Sequence, residues 1–171
     1  MSVKTMTYIS LMSVIITLCA WLTIPAAVPF TMQTFGIFFA LLFLGGKRGT
    51  ASITVYLLLG ALGLPVFSGF SGGIGHLFGI TGGYMLGFLL TGIVYILFER
   101  IFGKSLKISV LSLIFGLFLC YAFGTVWFSI YKGNMGFLQA FAICVLPFII
   151  PDLLKLALAV FLYKRIKKAS Q

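Results

Sequence analysis

Carboxylates are almost missing from this chain: its 171 residues hold two acids, Glu99 and Asp152, against twelve Lys and Arg. Charge of either sign is scarce, at 8% of residues, where soluble domains carry roughly 25%. A water-soluble domain of this size must turn much of its surface to solvent. With 61% hydrophobic residues there is too little polar surface to cover it. Lipid tolerates an apolar exterior, so the composition points to an integral membrane protein. Further absences narrow the chemistry. A single His, no HExxH, no paired carboxylates and no GxSxG leave no base–nucleophile pair, so no enzyme activity is expected. A Gly-rich stretch lacks the GxxxxGK pattern of a P-loop, so energy from ATP would have to come from a partner. Cys19, Cys120 and Cys144 form no CxxC pair and sit in apolar runs, where free thiols pack as small hydrophobes. No metal and no cofactor are expected. The first apolar run lacks a small-residue cleavage site, so no separate signal peptide is expected.

What is present is a net charge of +10 in an unusual distribution. Lys4, Lys47, Arg48, Arg100, Lys104, Lys107, Lys164, Arg165, Lys167 and Lys168 sit in short tracts beside apolar runs. A nucleic-acid partner would need them gathered on one solvated surface, whereas cytoplasmic ends of membrane helices carry such tracts. Six apolar runs are expected as spans: Met6–Ile24, Thr31–Gly46, Thr50–Leu64, Gly83–Phe98, Ile108–Tyr131 and Leu138–Tyr163. With an even number of spans all these tracts share one side, and the opposite connections hold only His76 and Lys132. The expectation is an all-α bundle of six transmembrane helices, one domain over residues 1–171, with both termini cytoplasmic. The second to fourth runs reach only about 22–25 Å at 1.5 Å per residue, short of a core near 30 Å. They border a cavity or are accommodated by tilt and local thinning. Glu99 adjoins Arg100, where an interfacial ion pair accounts for it.

The outward connections are apolar. The first reads Pro25-Ala-Ala-Val-Pro29-Phe30-Thr31-Met32-Gln33. The second reads Leu64-Pro65-Val-Phe67-Ser68-Gly69-Phe70-Ser71-Gly72-Gly73-Ile74-Gly75-His76 and runs on to Thr81-Gly82-Gly83-Tyr84. Glycines let backbone amides approach a small ligand, and Phe30, Phe67, Phe70 and Tyr84 would form an apolar wall. A re-entrant plug packed on the bundle is the alternative reading of the same residues.

Asp152 lies inside the sixth run with Lys155 three residues on, so both project from one helix face. An isolated charge at membrane depth costs at least about 2.5–3.5 kcal/mol, and a paired one seldom improves on an apolar replacement. A functional role is the better explanation. Pro147 and Pro151 leave the carbonyls of Ile143 and Pro147 without helical donors, which predicts a kink with Asp152 in the first turn after it.

Val28-Pro-Phe-Thr-Met-Gln33, Gly60-Ala-Leu-Gly-Leu-Pro-Val-Phe67, Gly72-Gly73, Thr81-Gly-Gly-Tyr84, Gly87-Phe88 and Leu146-Pro-Phe-Ile-Ile-Pro-Asp-Leu-Leu-Lys155 occur in this order along most of the chain. Together they resemble the BioY family, the biotin-specific substrate-binding (S) components of energy-coupling factor (ECF) transporters. The resemblance implies a multi-pass protein of a prokaryotic plasma membrane that binds biotin near the outer face as transported substrate. It also implies partnership with a transmembrane coupling subunit and two ATPase subunits, as one part of an ABC-type vitamin transporter. S components commonly carry an Ala-xxx-Ala contact motif in the first helix. The nearest spacing here is Ser13-xxx-Thr17, which is assigned to the coupling subunit.

For biotin, Asp152 would accept from a ureido N–H and Lys155 would neutralise Asp152 or bond the ureido oxygen. One helical turn does not serve both ends of the ligand. The carboxylate therefore falls to Gln33, Ser71 and the amides near Gly72 and Gly73, with Phe30, Tyr84 and Trp127 packing on the rings. The expected cycle is binding, closure of the second outward loop and reorientation against the partners. An S component for thiamine or riboflavin, a membrane enzyme and a non-catalytic scaffold are the competing readings.

Overall fold

The structure, a computed structural model, describes residues 2–25, 28–133 and 135–169. Among them are eight α-helices: α1 Val3–Trp21, α2 Gln33–Leu44, α3 Gly46–Ala61, α4 Ile74–Leu77, α5 Gly82–Phe102, α6 Leu106–Tyr131, α7 Phe137–Cys144 and α8 Leu146–Ala169. Four of these, α1, α5, α6 and α8, are long and apolar enough to cross a membrane. The chain is thus mostly helical and membrane-embedded.

Local chemistry fixes the boundaries. Ser2 caps α1 by accepting the Thr5 N–H, and Ser105 caps α6 by accepting that of Ile108, each at 3.3 Å. The Glu99 carboxylate accepts the Gly46 N–H at 2.9 Å and so caps α3 from a neighbouring helix. This corrects the expected Glu99–Arg100 pair: among the described residues the ion pair formed is Lys155–Asp152. Lys47 and Arg48 sit in the first turn of α3 rather than in a loop, because Gly45, at φ +77°, makes the whole turn between α2 and α3.

The short α2 lies at the centre. Eight of its twelve residues are buried, among them Ile37, Phe38 and Leu41, and it packs against α1, α3 and α8. A helix enclosed by neighbours on most sides is apolar all round and need not span by itself. The fourth run is not short: α5 has 21 residues, about 32 Å of helix. It packs tightly along α6. A Cβ on Gly87 would come within 2.6 Å of Cys120 Sγ, and one on Gly116 within 2.7 Å of Thr91 Cγ2, so glycine permits the approach of the two backbones.

Two expectations about local structure change. The first run stops at Trp21, and Thr23–Ile24 pairs antiparallel with Phe30–Thr31, so the first outward connection is a small β-hairpin in an otherwise helical protein. Ala26 and Ala27 of that connection lie outside the described residues. The sixth run divides at Val145 (φ −120°, ψ −52°) into α7 and α8. Pro147 falls in the first turn of α8, where a missing N–H costs nothing, and Pro151 lies inside the helix. The break therefore precedes both prolines, and Asp152 stands in the second turn after it.

Candidate functional site

Three helices and the hairpin converge on Asp152, which is 2% exposed. Its Oδ1 accepts from Thr34 Oγ1 on α2 at 2.8 Å and from Lys155 Nζ on α8 at 2.7 Å, and its Oδ2 accepts from Tyr121 Oη on α6 at 2.5 Å. Lys155 is also buried, and its ammonium lies 4.5 Å from the centre of the Phe30 ring. Phe30 in turn stacks on Phe148 at 5.8 Å. A carboxylate offers about four acceptor directions. Three are taken, and removing any donor from a buried charge is costly.

This cluster forms one wall of a partly open cavity at the hairpin end of the bundle, mostly apolar with a few placed polar groups, as small-molecule sites are. Val28, Pro29, Met85, Phe88, Leu117 and Phe148 give it apolar sides. Thr31, Gln33, Ser68, Thr81 and Tyr84 add polar groups to its lining. Gln33 Nε2 donates to Tyr56 Oη at 2.8 Å, and Tyr84 Oη lies 3.2 Å from Thr125 Oγ1, so both side chains are held in place from behind. The site can hold a largely apolar molecule bearing an N–H donor at one end and a polar acceptor at the other.

Of the residues expected from the sequence, Asp152, Lys155, Gln33 and Tyr84 line this cavity, and Phe30 supports it through Lys155. The others do not. Phe67 is fully buried between Tyr56 and His76, with ring centroids 5.5 Å from each. Ser71 donates to the Ser68 carbonyl at 2.7 Å and lies 3.3 Å from His76 Nε2. Gly72 abuts the Leu64 carbonyl, and the Gly73 N–H donates to the Gly60 carbonyl at 2.7 Å, so that amide is already committed. Trp127 donates to the Gly79 carbonyl at 3.0 Å and braces the link between α4 and α5. The second outward loop is anchored by buried Phe67 and the Gly73–Gly60 bond, and Ser68 and Thr81 reach the cavity from it. Burial lowers the pKa of His76, which keeps this loop residue neutral at pH 7.

Ser13 and Thr17 are also not free to meet a partner. Both are buried, and Ser13 Oγ donates to the Ser52 carbonyl of α3 at 2.9 Å, so α3 already occupies that face of α1. The sequence reading missed Thr34 and Tyr121. Each is a neutral hydroxyl in an apolar run, and its partner is 118 or 31 residues away.

Comparison with known proteins places the chain among relatives. The chain is 43% identical over 140 residues to a probable biotin transporter BioY of Pyrococcus horikoshii, covering 82% of this chain and 81% of that one. It is 40% identical over 151 residues to a biotin transporter BioY of Thermotoga maritima, covering 87% of each. Among solved structures, the S-component for biotin from an ECF-type ABC transporter superposes with a TM-score of 0.85 at 30% identity, over 97% of this chain and 92% of the other. The BioY family description matches residues 1–171 from end to end, and the chain belongs to the BioY family.

Proposed function

We propose that this chain is the membrane-embedded subunit that captures biotin for uptake, the S component of an ECF-type transporter. The observation that carries the reading is the buried Asp152–Lys155 pair opening on a mostly apolar cavity. A ureido N–H takes the remaining acceptor direction on Asp152 with charge-assisted strength. The Lys155 ammonium, held between Asp152 and Phe30, faces the ureido oxygen. The thioether ring packs against Phe88, Leu117 and Phe148. The valerate carboxylate meets Gln33, Thr31, Ser68 and Thr81, with Ser68 in the part first assigned to Ser71.

Six spans with both termini cytoplasmic is the topology that fits this role: α1, α2, α3, α5, α6, and α7 with α8 as one broken span. In support, the turn at Gly45, the turn before Ser105 and the last turns of α8 line one crevice with Lys104, Lys164, Lys167 and Lys168. The substrate cavity lies at the opposite helix ends, by the hairpin. Such an asymmetry of cations follows the positive-inside rule and suits the plasma membrane of a prokaryote. A coupling subunit and two ATPase subunits complete the transporter, since this chain carries no P-loop of its own.

The test is isothermal titration of purified, ligand-stripped protein with biotin and, as control, thiamine. Stoichiometric heat with biotin and none with thiamine is expected. Thiamine binding, or no biotin binding by folded protein, refutes the substrate assignment.

A further inference from the structure

At the helix ends opposite the substrate cavity, a polar crevice runs between α2, α5, α6 and α8. Tyr95, Ser109 and Tyr163 line it, along with Lys104, Lys164, Lys167 and Lys168. Its one acid, Glu99, is committed to the Gly46 N–H. A second, apolar groove lies between α6 and α8 and is lined by Val110, Leu153, Leu156, Ala157, Val160 and Phe161. The two helices hardly touch one another. Lys164 belongs to both walls, and Ser109–Val110 and Tyr163–Lys164 are consecutive, so crevice and groove are continuous.

We infer that this composite site binds an anionic phospholipid of the inner leaflet, its phosphate among the lysines and an acyl chain along the α6–α8 groove. Three observations combine. The crevice holds four lysines against one carboxylate, Glu99, and this positive excess favours an anionic headgroup over a zwitterionic one. The groove next to it is apolar and meets the crevice at Lys164. The α6 N-terminus, capped at Ser105, brings its first amides to the same crevice and favours negative charge there. The ligand fills a gap that the chain's own side chains leave between the two helices. It thereby holds α8, and with it Asp152, against α6 from below the Tyr121–Asp152 bond.

The test uses the full chain, delipidated in a neutral detergent and titrated with phosphatidylglycerol, phosphatidylcholine or glycerol 1-phosphate. Melting temperature and lipid retained by native mass spectrometry are followed. Phosphatidylglycerol is expected to bind at one or two copies and raise the melting temperature, while the other two do neither. Ala157→Trp, which fills the groove from an exposed position, and the triple variant Lys164→Gln, Lys167→Gln, Lys168→Gln should each weaken that binding about tenfold. Should the triple variant not fold, Ala157→Trp decides alone. Equal binding of phosphatidylcholine overturns the anionic site. Equal stabilisation by glycerol 1-phosphate assigns the crevice to a free phosphate and overturns the lipid. Undiminished phosphatidylglycerol binding by folded Ala157→Trp overturns the groove.

Discussion

Asp152 is the residue around which the account turns, and its three donors come from three helices. Its prominence was legible because a carboxylate in an apolar run is expensive wherever it lies. Lys155 was legible from its spacing. Thr34 and Tyr121 were not, because a hydroxyl among apolar residues is affordable when it bonds a nearby carbonyl, and nothing local announces a distant carboxylate partner. Tyr121→Phe removes a hydrogen bond to a charged group, worth about 1.5–3 kcal/mol. The ligand-free variant should melt at a lower temperature than the parent. Biotin should raise its melting temperature by more than it raises the parent's, since a carboxylate with one protein donor fewer accepts more strongly from the ligand N–H. An equal ligand-induced rise in both proteins would separate Tyr121 from the ligand site.

At the scale of elements, the apolar runs were legible and their ends less so. The prolines of the sixth run signalled a break, yet Val145 carries it, because Pro147 is well suited to a first helical turn. The Lys47-Arg48 pair read as a loop, but a helix can begin directly after Gly45 when a distant carboxylate caps it. In the second outward loop the serine at the cavity lies three residues before the one expected there. Ser68 faces the cavity while Ser71 turns inward to His76.

That loop also carries a pH prediction. The docked loop lowers the pKa of His76, so relative to a free imidazole near 6.5 it disfavours the proton. Its contribution to docking is complete above about pH 6.5 and is lost as pH falls through the lowered value. Biotin release measured by rapid dilution should therefore quicken from pH 7.5 to pH 5. His76→Phe, which keeps the ring stacked on Phe67, should flatten that dependence.

At the scale of the molecule, the lysine-lined crevice and the Asp152 cavity lie at opposite helix ends, and the proposed orientation rests on that charge placement. The packing that makes a cavity of these helices was not in the pattern. It depends on a short central α2 enclosed by its neighbours and on the glycines that let α5 lie against α6. Cysteine scanning tests the topology. In intact cells a membrane-impermeant maleimide should label Lys132→Cys, and it should reach Lys4→Cys and Lys168→Cys only after permeabilisation. Labelling of Lys4→Cys and Lys168→Cys on opposite sides would exclude an even number of spans.

The central claim is that Asp152 in the outer cavity holds the ureido ring of biotin. Its most direct test is the biotin affinity of Asp152→Asn beside that of the parent protein, by titration under identical conditions. The variant keeps the side chain's shape and removes its charge, and the account predicts affinity weaker by about tenfold or more. Unchanged affinity in a folded Asp152→Asn protein would contradict it and move the substrate elsewhere in the molecule.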